Sequence, residues 1–171
     1  MNDAPLIMET ISASDRIYRE FTCWVARRSA KIAGLKTDFE IVLVVEQYLR
    51  GSIDLEEVKA ARAVAIAGTV GAIGAAATIG TRVRGARAAS VKVLYLISPS
   101  AAAHLAASCC ADDSARQAAD RAIQYGALTA RNANKWNRSA EGQEREILKA
   151  ELKSRLEKVV LGDTSSDSPI P

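Results

Sequence analysis

Aromatic residues make up only 5% of this 171-residue chain, histidine occurs once, and there are three cysteines. Each shortage excludes a class of chemistry. Cys23, Cys109 and Cys110 are an odd set with two members adjacent. A disulfide framework is therefore not expected, and without a C-x-x-C pair the simplest redox and zinc motifs fall away too. His104 has Cys109 and Cys110 at i+5 and i+6, so neither thiol shares its helix face, and the next acidic residue is Asp112. A metal site built on it would have to draw ligands from distant segments, so a packed histidine is the favoured reading. Gly68, Gly71 and Gly74 are not followed by the Lys-Ser/Thr of a phosphate loop, and no strand precedes them. No nucleophile–base pair or ligand set can be assembled, which points to a non-enzyme without cofactor or metal. The opening MNDAPLIMETIS has neither a cationic start nor an apolar run. A signal peptide is not expected, and a reducing cytoplasm is the expected setting.

What the chain has in quantity is alanine, about a fifth of its residues. Alanine loses no side-chain entropy in a helix and lets helices approach closely, although each one buries little area. With 49% hydrophobic and 25% charged residues, the chain can bury a core of globular type. The expected fold is all-α: one bundle of six or seven helices with an alanine-rich core, spanning 14–162. Tails are expected at 1–13 and in the Ser/Asp/Pro-rich 163–171.

Caps and periodicity place the helices. Ser12 precedes Asp15 by three residues, Ile17, Phe21, Trp24, Val25 and Ile32 form a stripe, and Gly34 is a natural stop. Thr37 and Glu40 have capping-box spacing and predict a second helix through Ile41–Val45 to Leu49. The run Ile-Val-Leu-Val-Val would also suit a strand, but the cap and the lack of a second strand candidate favour helix. A third helix starts at Asp54, with Glu56 and Glu57 in its first turn. It leads into the Ala/Gly-rich stretch Ala63–Gly80, as long as a short membrane span but read as a core helix because alanine and glycine insert weakly. A short helix over Val91–Ile97 follows. Ser98–Pro99 opens the next one, through Cys109. Asp112–Ser114 cap another, and Asn132, Asn134 and Asn137 mark its end. The last spans Ser139–Leu161, with Leu148, Leu152, Leu156 and Val159 as its stripe and Glu141–Arg145 and Glu151–Arg155 paired at i,i+4. Trp24 and Trp136 are read as packing residues.

Between Glu57 and Asp112 there is no acidic residue, while Lys59, Arg62, Arg82, Arg84, Arg87 and Lys92 all fall there. These six cations exceed the net charge of +3, so the remainder of the chain is net acidic. Arg82, Arg84, Arg87 and Lys92 are the candidate partner-binding residues. They would meet an acidic protein or a phosphate backbone, and the alternative is a solvated turn. Should they be solvated, the acidic residues Glu40, Glu46, Asp112 and Asp113 become the next surface to consider.

Three segments, FTCWVARRSAKIAG (21–34), VVEQYLRGSIDLEEVKAARAVAIAGTVGAIGAAA (44–77) and AAAHLAASC (101–109), resemble the alanine-rich, all-α immunity proteins of bacterial polymorphic-toxin systems. The order is also similar: an opening helix with a C/W/A pattern, a helix ending in Arg-Gly, then alanine-rich helices carrying a histidine. The resemblance covers most of 15–130 and implies a helical protein that binds and blocks a toxin, with no catalytic residues. The alternative expectation is a phage-related or nucleic-acid-associated accessory protein using the basic middle region. A second copy of the chain is a further expected partner, and a membrane is not.

Overall fold

The computed structural model describes residues 12–36, 39–65 and 99–160. Among these residues the chain is an all-α bundle without a strand: α1 (Ala13–Ile32), α2 (Glu40–Leu49), α3 (55–65), α4 (Pro99–Ser108), a 3-10 turn (Cys109–Ala111), α5 (Ala115–Ala133) and α6 (Arg138–Val160). The tails and the stretch 66–98, which holds most of the Ala/Gly-rich segment, lie outside the described residues. None of the described helices is long and apolar enough to cross a membrane.

The helix ends follow from local chemistry. Ser12 Oγ accepts the Asp15 N–H at 3.1 Å and starts α1. The helix stops as Gly34 takes φ +69°, with Gly34 N–H donating to Lys31 O at 3.2 Å and Leu35 N–H to Ala30 O at 2.9 Å. Both bonds of a Schellman closure are made, satisfying carbonyls that would otherwise be orphaned. Gly51 closes α2 in the same way, with φ +74°. Thr37, expected to open this helix in a capping box with Glu40, lies outside the described residues; α2 begins at Glu40, and its N-cap, Phe39, makes no side-chain cap. The reciprocal box lies instead at α3, where Glu57 N–H donates to Asp54 Oδ1 at 2.9 Å and Asp54 N–H to Glu57 Oε2 at 3.3 Å. Ser114 caps α5 through Gln117 N–H, and α5 runs past Asn132 to Ala133. Asn137 Oδ1 accepts the Ser139 N–H at 2.9 Å and opens α6.

α1 is the spine, with a core on each flank. Cys23 and Ala26 face Val42, Val45, Val58 and Cys110, while Phe21 and Val25 face Ala119, Ala122, Ile123 and Leu148. The alanine content is explained by the contact surfaces: Ala102, Ala103 and Ala106 of α4 and Ala118, Ala119 and Ala122 of α5 are fully buried. Small side chains let these helices lie close, so backbone proximity substitutes for bulk. At Gly126 even a methyl group is excluded, since an added Cβ would lie 2.8 Å from Leu148 Cδ1 and 3.0 Å from Val25 Cγ1. The α6 stripe is shallower than its spacing implies: Leu148 is fully buried, Leu152 and Leu156 are half-buried, and Val159 is exposed.

Arginines tie the helices together across these contacts. Arg27 of α1 grips Glu46 of α2 through both carboxylate oxygens, and Arg28 does the same to Glu144 of α6. Arg19, itself buried, donates to Cys110 O at 3.1 Å and fixes α1 to the 3-10 turn. Two-pronged guanidinium–carboxylate pairs impose direction as well as energy, which alanine contacts alone do not.

Candidate functional site

The four cations singled out from the sequence, Arg82, Arg84, Arg87 and Lys92, lie outside the described residues. Of the basic middle region, Lys59 and Arg62 are described, and both make ion pairs within the chain. Lys59 Nζ is 2.7 Å from Glu56, and Arg62 bonds Asp112 and stands 3.5 Å from Asp113. The acidic residues proposed as the second surface are also largely spoken for. Glu46 and Asp112 are buried, Glu46 by Arg27 and Asp112 between Arg62 and Arg121, the latter at 3.0 Å. Each of these buried carboxylates ties down a partly buried guanidinium, which makes it a structural clamp. Glu40 and Asp113 remain exposed.

His104 and the thiols are packed. His104 Nδ1 is 2.9 Å from Ser100 O, one turn back in α4, and its ring meets Phe39 edge-on at 5.1 Å between centroids. All three cysteines are free and buried. Burial, then the neighbouring Cys110 thiol and Asp112, pushes the Cys109 thiol well above the ordinary range. Cys110 is pushed up by burial and by the Cys23 thiol. Thiols held protonated in this way are poor nucleophiles and poor ligands. Among the described residues no three His, Cys, Asp or Glu side chains gather as a metal site.

A groove of about 1200 Å³ lies between α5 and α6. Ile123 and Leu128 of α5 and Leu152 and Leu156 of α6 line its floor. Its charge is polarised along its length. At one end the Glu141 carboxylate serves two guanidiniums, Arg145 at 2.9 Å and Arg131 at 3.4 Å, with Lys149 one turn on. At the other, Asp120 and Glu157 flank Lys153, with Lys153 Nζ 3.7 Å from Glu157.

The reversal between α5 and α6 adds an element at the cationic end. Trp136 N–H donates to Arg131 O at 2.9 Å, the long bond of a helix-end closure. The left-handed position that glycine usually fills is taken by Lys135 (φ 52°), and Trp136 follows in the same region (φ 69°). Such a conformation costs an L-residue about 1–2 kcal/mol. Trp136 is not the packing residue expected from the sequence: it is 43% exposed, with the Arg131 guanidinium 5.2 Å from its ring centroid. Trp24 does pack, half-buried between Arg28 at 5.6 Å and Arg155 at 5.7 Å. Neither the groove nor the exposed tryptophan was found from sequence spacing. Leu152 and Leu156 belong to the stripe expected to be buried, and the structure leaves them half-buried along the groove.

Compared with models of known protein families, with curated proteins and with solved structures, the chain matches none.

Proposed function

We propose that this chain is a non-catalytic protein-binding module, an immunity protein that occludes a toxin domain, and that it docks its partner through the α5–α6 groove. The observation that carries the docking site is the groove itself, an apolar floor of half-buried Leu128, Leu152 and Leu156 beside buried Ile123, between charged ends. Helix-in-groove recognition uses this combination, with apolar anchors for affinity and flanking charges for register. The alanine-rich packing and arginine clamps behind it supply a pre-organised surface, which lowers the ordering cost of association. The toxin-blocking role is supported by the resemblance of 21–34, 44–77 and 101–109. The nucleic-acid alternative loses support from Lys59 and Arg62, whose charges are already paired.

The test is Leu156→Glu, a charge placed on the half-buried floor. Binding to a toxin domain captured with the wild-type chain should weaken by roughly 30-fold or more, about 2 kcal/mol, as at central interface positions. Protection of cells co-expressing that toxin should fail in parallel, while the helical spectrum is retained. Full binding and protection by this variant would remove the groove from the interface.

A further inference from the structure

We infer that the element seated in this groove is a partner's amphipathic α-helix that presents carboxylates to the end formed by Arg131, Arg145, Lys149 and Trp136. This rests on the docking role proposed for the groove and adds the chemistry of the occupant. From Arg145 to Leu156 the α6 wall runs about 16 Å at 1.5 Å per residue, room for three turns of a bound helix.

The cationic end is unbalanced. One carboxylate, Glu141, answers both guanidiniums, and the Arg145 side chain is 43% exposed. Lys149 is 56% exposed, and its pair, Glu146 at 3.3 Å, is itself 75% exposed. Positive charge therefore exceeds negative charge there, and a carboxylate arriving on a partner helix restores the balance with charge-assisted bonds. Trp136 stands beside this cluster as a large aromatic surface held in a costly backbone conformation and left exposed. Tryptophan and arginine side by side are the residues that dominate interface energetics. Asp120 and Glu157 make the opposite end net negative even with Lys153 between them, so a uniformly anionic ligand such as a nucleic-acid backbone is disfavoured along the groove.

The experiment uses the full chain carrying Trp24→Phe, which leaves Trp136 as the sole tryptophan. Two synthetic helical peptides share one leucine stripe and differ in the residues flanking one end, glutamate in one and lysine in the other. The glutamate peptide should shift Trp136 emission saturably and bind at least about tenfold tighter than the lysine peptide at low salt, with the advantage shrinking as salt rises. Lys149→Glu, at an exposed position, should abolish or reverse that preference. Equal binding of the two peptides, or a preference that survives Lys149→Glu, overturns the acidic-helix assignment and leaves the groove reading intact. Binding of neither peptide also overturns it, and the groove reading falls with it only if Leu156→Glu still binds the toxin. A dimer seen by light scattering that shields Trp136 would assign the face to a second copy and overturn the inference.

Discussion

Replacing Gly126 with alanine should destabilise the protein, although every helix-propensity scale ranks the change as an improvement. In a solvated helix interior, Gly→Ala stabilises by about 1 kcal/mol, because glycine has more backbone freedom to lose. At Gly126 the new methyl would sit 2.8 Å from Leu148 Cδ1, 3.0 Å from Val25 Cγ1 and 3.4 Å from Ser29 Oγ. Favourable carbon–carbon contacts lie at about 3.5–4.0 Å, so both apolar contacts are on the repulsive wall. Leu148 and Val25 are 0% and 1% exposed and cannot swing into solvent, so α1, α5 and α6 must move apart slightly. Overpacking of this kind costs about 1–3 kcal/mol, leaving a net loss of about 0–2 kcal/mol once propensity is credited. Gly142 provides the control: it lies in α6 with nothing within 4 Å of an added Cβ, so its alanine variant should gain about 0.5–1 kcal/mol. Urea unfolding followed by far-UV circular dichroism gives both values. The two variants should differ by about 0.5–3 kcal/mol, equivalent to several degrees in Tm at the upper end for a chain of this size. Adding Leu148→Ala to Gly126→Ala should cost less than the sum of the single losses, since the new methyl then fills part of the cavity. If Gly126→Ala stabilises as much as Gly142→Ala, the close meeting of the three helices is refuted.

Other perturbations reach different parts of the structure. Glu144→Ala leaves Arg28 without the hydrogen bonds that raise its pKa; because Arg28 is about a third exposed, the loss should be about 2 kcal/mol, below the 3–5 typical of fully buried pairs, and Glu144→Ala/Arg28→Met should recover part of it in a double-mutant cycle. Cys109 and Cys110 should resist a maleimide in the native protein and react fully in denaturant, whereas native labelling at the rate of a free thiol would contradict their burial. Because folding raises both thiol pKa values, the unfolded chain loses these protons first; the stability they contribute is present below the ordinary thiol range and should decline as pH rises through it, by an amount that Cys109→Ser reduces.

Much of the architecture was legible in the residues because it is local. Ser12, Gly34, Asp54 and Ser114 set helix ends with bonds to neighbours within a few positions, and the stripe Ile17, Phe21, Val25 pointed α1 inward. The helical state of Ile41–Val45, ambiguous by hydropathy, follows from its length and its stop at Gly51. The pairs Glu141–Arg145 and Glu151–Arg155 form as i,i+4 spacing requires. Interactions between residues far apart in the chain were not legible. Nothing near Glu46, Asp112 or Glu144 in sequence says that Arg27, Arg62 and Arg28 will bury them, so side chains that read as acidic surface are clamps in the folded protein. Trp136 read as packing because bulk and apolarity favour burial, yet its exposure follows from the path of the turn after α5. The groove was hidden for the same reason: Leu152 and Leu156 carry a core pattern, and only the way α5 and α6 meet leaves them half-buried along a groove. Local hydrogen bonding and periodicity determine which residues are helical, whereas exposure depends on how helices distant in sequence meet, and that is a property of the tertiary structure alone.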